Sequence, residues 1–483
     1  MAQKLKEVVK SLFDIAPHER LKVLLLSVIY FCIIAGYTVA KELKDTVFTS
    51  IVGEAHIPQA RIIAMLFLVP AILIYSLFVD RLRRYQLLFV YALFYGVVAI
   101  GFAILLGNPV IGLPNTNASY DRWLGWLFYF FLEGYTPFVI GVFWAFVNSI
   151  NNQESAKKNY GLMIAGSKLG GMTSPILAIT LLTLNKSSDK VINFSKEIFN
   201  HQLIVGFFGF MCLTIPLIVL YLMKKVPGQY LHGYEAVYKL EKQRKREGTD
   251  KSGMFAGFKM LLKYPYVFGI FSFLFLYEVI NTVLSFQRVL VAKKYATSIT
   301  NGEFSLSAMS FYLLGIVFMV HFIGFVISLF GTRVILEALG IRRALMLVPV
   351  ITAGLLAYFM GWYTPFAFLA VSIILKAMNY AIVYPLRESL YIPTVKEVKF
   401  KAKSWIDAFG GKFGKTAGST FNQLGQFLVN GSQAFFGAHV AFFAIVSGAW
   451  LFTAYLLGNR YDWAMNNNEV IGFNDSDSSD ETE

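Results

Sequence analysis

The chain has 483 residues, is 56% hydrophobic and only 15% charged, and has a mean hydropathy of +0.57. A soluble globular protein of this length carries far more charge, which excludes that class. The net charge of +14 does not mark a nucleic-acid-binding protein, since no soluble basic domain is present to do the binding; it fits Lys- and Arg-rich cytoplasmic loops touching anionic membrane lipid.

The N-terminal stretch MAQKLKEVVKSLFDIAPHER is amphipathic and lacks the short apolar core and small-residue cleavage site of a secretory signal. Apolar runs near ~20 residues come next, the length that matches bilayer hydrocarbon. In the first half they predict spans at 21–40, 61–79, 86–107, 123–148, 160–184 and 203–223. In the second half they predict spans at 265–287, 308–331, 341–361, 364–385, 405–429 and 436–458. The expected fold is an all-α membrane protein of 12 transmembrane helices in two six-helix halves, 1–223 and 264–460. A basic cytoplasmic linker (224–263, with EKQRKREGTDK) joins them, and an acidic tail (461–483, ending NDSDSSDETE) is expected to be disordered.

Lys and Arg counts orient the chain. DRLRR (80–84), AKK (156–158), the linker, LGIRR (339–343) and KFKAK (399–403) fall on one side, while 112–119, 361–365 and 430–436 carry almost none. Both termini are therefore expected in the cytoplasm, with the protein in a cell inner membrane. Lys186, Lys190, Lys196 and Lys293–Lys294 run against the bias. Arg pairs recur in FVDRLRRYQLL and LEALGIRRALML, after the second and eighth spans. Such parallel halves describe a major-facilitator-like architecture with its site near the midplane. Cys32 and Cys212 lie in apolar runs and read as small buried hydrophobes.

Charge inside apolar spans carries the functional reading, because it is costly there. The first span ends AGYTVAKELKDTVFTS. Its Lys41 and Lys44 either snorkel to headgroups or share one helix face on a water-filled cavity. Glu133 and Glu278 lie deep in the fourth and seventh spans, Lys376 is central in the tenth, and Lys168 sits in a glycine-rich part of the fifth. Each allows a structural ion pair as well as a ligand site. Cations in excess of acids make a cavity suited to a polyanion. The long stretch Arg387–Ser419 adds a cluster of positive charge and then GGKFGKTAGS (410–419). That last segment fails the phosphate-loop spacing and lies in a helical run, so small residues for close packing explain it better. Six histidines at no metal-ligand spacing give no metal site and no cofactor. No enzyme is expected.

These stretches resemble the ATP/ADP translocases, the nucleotide transporters of plastids and obligate intracellular bacteria. KELKDT (41–46) resembles a Lys-Asp-Thr motif, and Glu133 with FWAFVN (143–148) resembles a fourth-helix pattern that includes Asn148. ESAKKNYGL (154–162) is similar to the next cytoplasmic loop, and Glu278-Val279 matches a seventh-helix motif. RESLYIP (387–393) and KAKSWID (401–407) are the most specific matches. The resemblance implies substrate-binding roles for Lys44, Glu133, Glu278, Lys376, Arg387 and Lys403; Lys41 and Lys168, charges at or within apolar spans, and Asn148, which ends the FWAFVN pattern, complete the candidate substrate-binding set. It implies exchange of ATP for ADP by a monomer through alternating access, with phosphate or protons as further cargo. The chain departs from the pattern at Gly134-Tyr135, Asn379-Tyr380 and Val383-Tyr384-Pro385, which leaves strict ATP/ADP specificity open. A proton-coupled nucleotide symporter and a non-transporting membrane scaffold are the alternatives.

Overall fold

The structure is a computed structural model of the chain. It describes residues 19–151, 153–184, 194–226, 256–300, 302–330, 332–362, 364–395, 402–428 and 432–472, with the isolated positions 17 and 398. Residues 227–255 of the linker and 473–483 of the acidic tail, for which cytoplasmic placement and disorder were expected, lie outside these residues, whereas 461–466 of the expected tail continue the last helix.

The described chain is helical apart from an isolated bridge between Thr394 and Ile471. The long helices are α1 (Arg20–Ile51), α2 (Ile57–Arg81), α3 (Arg84–Leu105), α4 (Trp123–Ile150), α5 (Gln153–Leu184) and α6 (Phe194–Lys225). They continue with α7 (Pro265–Ser298), α8 (Leu306–Phe330), α9 (Thr332–Trp362), α10 (Pro365–Leu390), α11 (403–425) and α12 (Gln433–Asn466). Among the described residues nine are long and apolar enough to cross a membrane: α1, α3, α4, α6 to α10 and α12. The other expected spans fall on α2, α5 and α11, which are helical.

Helix ends differ from the apolar runs. α1 continues eleven residues past the expected end at 40, to Ile51, and α7 runs to Ser298 instead of 287. Residues 154–162, expected in a loop, form the opening turns of α5. Hydropathy marks where lipid ends, whereas a helix ends where its backbone loses its partners. Local signals set several starts. The Gln86 side chain accepts the Arg83 N–H at 3.0 Å ahead of α3. Thr364 accepts the Ala367 N–H at 3.2 Å ahead of Pro365, and Ser432 accepts the Phe435 N–H at 3.1 Å. The LGIRR turn holds at Gly340, whose φ of +70° breaks α9.

The chain divides into two compact units, 1–60 with 66–250 and 292–318, and 61–65 with 251–291 and 319–483. In the first unit α1 is enclosed by its neighbours. Between Cys32 and Thr49 its half-exposed residues are Ile34, Tyr37 and Lys41. α5 packs on α1 through Gly166 and Gly170, whose missing side chains face the carbonyls of Ser27 and Phe31. On α6, Phe208 reaches Gly36 of α1, and Gln202 donates to the Ala103 carbonyl of α3 at 2.8 Å. Arg122 organises the α3–α4 loop by donating to the carbonyls of Asn115, Asn117, Ile111 and Gly112.

The end of α7 and the start of α8 belong to the same unit. Lys293 pairs with Glu54 at 2.6 Å. The Glu197 carboxylate accepts from the Ser305 hydroxyl and, at 3.1 Å, from the Leu306 N–H, a charged cap on α8. His201, Ser310 and Thr46 form a buried chain with links of 2.8 and 3.1 Å.

The second unit is built around fully buried Trp450, Phe273 and Phe368, with the Phe273 and Trp450 rings 5.4 Å apart. After α12 the chain folds back. Ile471 donates to the Pro393 carbonyl at 2.7 Å and accepts from the Val395 N–H at 3.0 Å.

Candidate functional site

In the first unit the chemistry gathers where α1 faces α4. Lys44 is buried and its ammonium lies 2.5 Å from the Glu133 carboxylate, the two side chains being 6% and 13% exposed. The same ammonium lies 4.1 Å from the centre of the Tyr129 ring. Glu42 and Asp45 on the same turns are also buried. The snorkelling reading of Lys44 is therefore corrected. α1 runs two turns beyond it, and α4 supplies the counter-charge that lets it stay inside.

Further along this seam the two helices meet at two more polar rungs. Thr136 of α4 donates to the Tyr37 hydroxyl at 3.0 Å, while Tyr37 stacks on Tyr135, with centroids 5.0 Å apart and planes 15° apart. The Trp144 indole donates to the Tyr30 hydroxyl at 3.4 Å, and Tyr30 stacks on Phe143 at 4.8 Å. Lys41 lies 5.9 Å from the Tyr37 ring. Asn148 is exposed one turn beyond Trp144, and Lys168 is half-buried on α5, next to the Gly166–Gly170 contact with α1. A π-turn at Thr136–Ile140 interrupts α4 between the ion pair and the indole. Such a turn inserts a residue and re-aims the side chains of the next helical turns.

In the second unit Arg387 pairs with Asp407 at 3.2 Å, and Lys403 pairs with Glu388. Lys403 lies 5.3 Å from the Tyr391 ring, and Arg387 lies 5.3 Å from the Tyr384 ring. Lys376 is half-buried on α10, one turn before a π-turn at Asn379–Val383. A further π-turn, Ile406–Gly410, includes Asp407. Glu278 accepts from the Asn281 amide at 3.1 Å. It lies against the glycine face of α11, where a side-chain carbon on Gly414 would stand 2.7 Å from the Glu278 Cβ and 2.8 Å from the Phe275 carbonyl. The small residues of GGKFGKTAGS thus serve close helix packing.

Of the nine residues, the structure joins Lys44 to Glu133 and brings Arg387 and Lys403 into one charge cluster. Lys41, Asn148 and Lys168 are in the first unit, and Glu278 and Lys376 are in the second. The carboxylates Glu388 and Asp407 were absent from the predicted site, although they lie inside RESLYIP and KAKSWID. Arg61 was missed as well. It donates to the Thr282 carbonyl at 3.2 Å, one turn beyond Glu278. Its signal was a lone arginine at the head of an apolar run.

Apolar helices long enough to cross a membrane, with ion pairs in their interior, describe a multi-pass membrane protein, and the fold agrees. It is similar to a D-xylose–proton symporter, with a TM-score of 0.59 and 12% identity over 91% of this chain and 97% of that one. It is also similar to the nucleoside transporter NupG, with a TM-score of 0.54 and 13% identity over 92% and 98%. These likenesses describe the fold, an all-helical one shared with multi-pass transporters.

The family is identified by sequence. Residues 1–113 and 109–461 match the model of the TLC ATP/ADP transporter family, and the chain belongs to it. It is 24% identical over 495 residues to ADP,ATP carrier protein 4 of Rickettsia conorii, covering 93% of this chain and 94% of that protein. It is 25% identical over 493 residues to ADP,ATP carrier protein 1 of Chlamydia muridarum, covering 93% and 90%.

Proposed function

We propose that the chain is a nucleotide transporter that exchanges ATP for ADP by alternating access, as a multi-pass protein of a cell inner membrane with both termini in the cytoplasm. The observation that carries this reading is the buried Lys44–Glu133 pair. An enclosed ammonium needs a partner at all times. In the empty carrier Glu133 is that partner, and an incoming phosphate takes its place with charge-assisted hydrogen bonds of its own. Lys41 adds a second charge one turn away. Arg387 and Lys403, each held by a carboxylate, offer the same kind of exchange, and Asn148, Lys168, Glu278 and Lys376 complete the proposed set.

Proton-coupled net uptake is the second reading. Glu278 favours it, a half-buried carboxylate whose described hydrogen-bond partner is the neutral Asn281 amide. Purified full-length protein in lipid vesicles separates the two. Exchange requires nucleotide inside the vesicle before labelled ATP enters. Uptake into empty vesicles driven by an inward proton gradient identifies symport and overturns exchange. Swapping ATP⁴⁻ for ADP³⁻ also moves charge unless phosphate leaves with ADP. A membrane-potential dependence of the rate therefore reports strict exchange, and its absence reports phosphate as the third cargo.

A further inference from the structure

Tyr30, Tyr37 and Lys44 of α1 meet α4 along one stripe, and Lys41, beside the Tyr37 ring, shares it, the four standing at positions i, i+7, i+14 and i+11. Such spacing places them on one helix face. The stripe stays partly open where the middle of the helix is otherwise mostly buried, for Tyr30, Tyr37 and Lys41 are half-exposed. α4 fixes each rung from behind. Tyr135, fully buried and donating to the Ile33 carbonyl at 3.3 Å, backs one face of Tyr37. Fully buried Phe143 backs Tyr30, and Trp144 meets its edge at 5.4 Å. The result is a wall with rigid, half-open aromatic rings at one end and two ammonium groups at the other. Lipid alone gives no reason for tyrosines and an indole to hold hydrogen-bonded rungs on the same face as paired lysines.

We infer that this wall is the base-recognition subsite of the transporter, with the nucleobase stacked on Tyr37, the Tyr30–Trp144 rung closing the base end, and the phosphates directed toward Lys41 and Lys44. The inference deepens the nucleotide-transport reading and rests on it. The dimensions fit. Seven residues of helix put Lys44 about 10 Å beyond Tyr37, the scale of an extended nucleoside triphosphate from base to terminal phosphate. Stacking accepts any base through its π-face, so the wall recognises a planar heterocycle.

The test compares ATP with inorganic tripolyphosphate, which carries the charges without the base, as competitors of labelled ATP binding to the purified full-length protein. Tyr37→Leu and Tyr30→Leu are expected to weaken ATP roughly tenfold, the scale of one lost stacking contact, and to leave tripolyphosphate unchanged. Tyr37→Phe and Tyr30→Phe keep the ring and are expected to retain ATP binding, which separates stacking from misfolding. Equal weakening of both competitors by the Leu variants overturns the inference, as does no weakening of either. Phe variants as damaged as Leu variants overturn it too, because a ring is then not what matters. Wild-type protein blind to tripolyphosphate also overturns it, since the phosphate end must bind by itself. Lys44→Ala checks the underlying reading separately and is expected to weaken both competitors. If Lys168→Ala abolishes tripolyphosphate competition while Lys44→Ala does not, the phosphates point the other way along the wall and the proposed orientation fails.

Discussion

Lys44 and Lys403 are both lysines paired with a glutamate, yet they sit in different dielectric surroundings. The Lys44 and Glu133 side chains are 6% and 13% exposed, whereas those of Lys403 and Glu388 are 29% and 34% exposed. Removing one partner of a buried pair leaves an uncompensated charge and costs roughly 3–5 kcal/mol, while a solvated pair contributes about 0–1 kcal/mol. Lys44→Met is therefore expected to lower the thermal midpoint of detergent-purified protein clearly. Lys44→Met/Glu133→Gln should recover much of the loss, because the stranded carboxylate is gone. A double variant no more stable than the single one would show that Glu133 does not depend on Lys44. Lys403→Ala should barely move the midpoint and still abolish nucleotide uptake with normal membrane insertion. Wild-type uptake in Lys403→Ala removes that lysine from the site.

At the scale of elements, several helix pairs approach closely through glycine, and hydropathy alone does not reveal this. On α11 the sequence displays its small residues openly, but the surface they face was not legible, because a helix does not name its neighbour. That neighbour is α7. Side-chain carbons on Gly414 and Gly418 would meet the Phe275 and Val279 carbonyls at 2.8 and 2.7 Å, backbone atoms that cannot turn aside. Gly414→Leu is expected to lower the thermal midpoint by several degrees and to displace Glu278, whose Cβ is 2.7 Å from the new atom. Gly206→Ala on α6 is the control. Nothing lies within 4 Å of its added carbon, and alanine gains about 1 kcal/mol of helix propensity over glycine. Its midpoint should hold or rise. Loss of stability in the control equal to that in Gly414→Leu would show that glycine flexibility, not close approach, is what α11 uses. The interruptions of α4 and α10 were equally hidden. Tyr135–Gly141 and Met378–Tyr384 read as ordinary apolar helix, and each contains a π-turn just after a candidate charge, because a π-turn is selected by tertiary packing and not by local propensity.

For the whole molecule, the bilayer was the most legible feature, since long apolar runs need no tertiary knowledge to be recognised. The candidate site was legible as a set of costly charges, and its partners only as motifs, because Lys44 and Glu133 are 89 positions apart and spacing says nothing at that range. Lys293 pairs with Glu54, but the orientation rule counts Lys and Arg and not net charge, so this cation still runs against it. The majority of Lys and Arg puts the α3–α4 loop outside and the end of α6 inside. Replacing Cys32 and Cys212, both buried, with alanine gives a background for single cysteines at half-buried Asn115 and exposed Lys224. In intact cells a membrane-impermeant maleimide is expected to label Asn115→Cys and to spare Lys224→Cys until the membrane is permeabilised. The inverse pattern would turn the transporter over and require ATP to meet the Lys44–Glu133 pair from the other face. Labelling of both sites in intact cells would mean that the α3–α4 loop and the end of α6 share one side, which would overturn the expected three crossings by α4, α5 and α6.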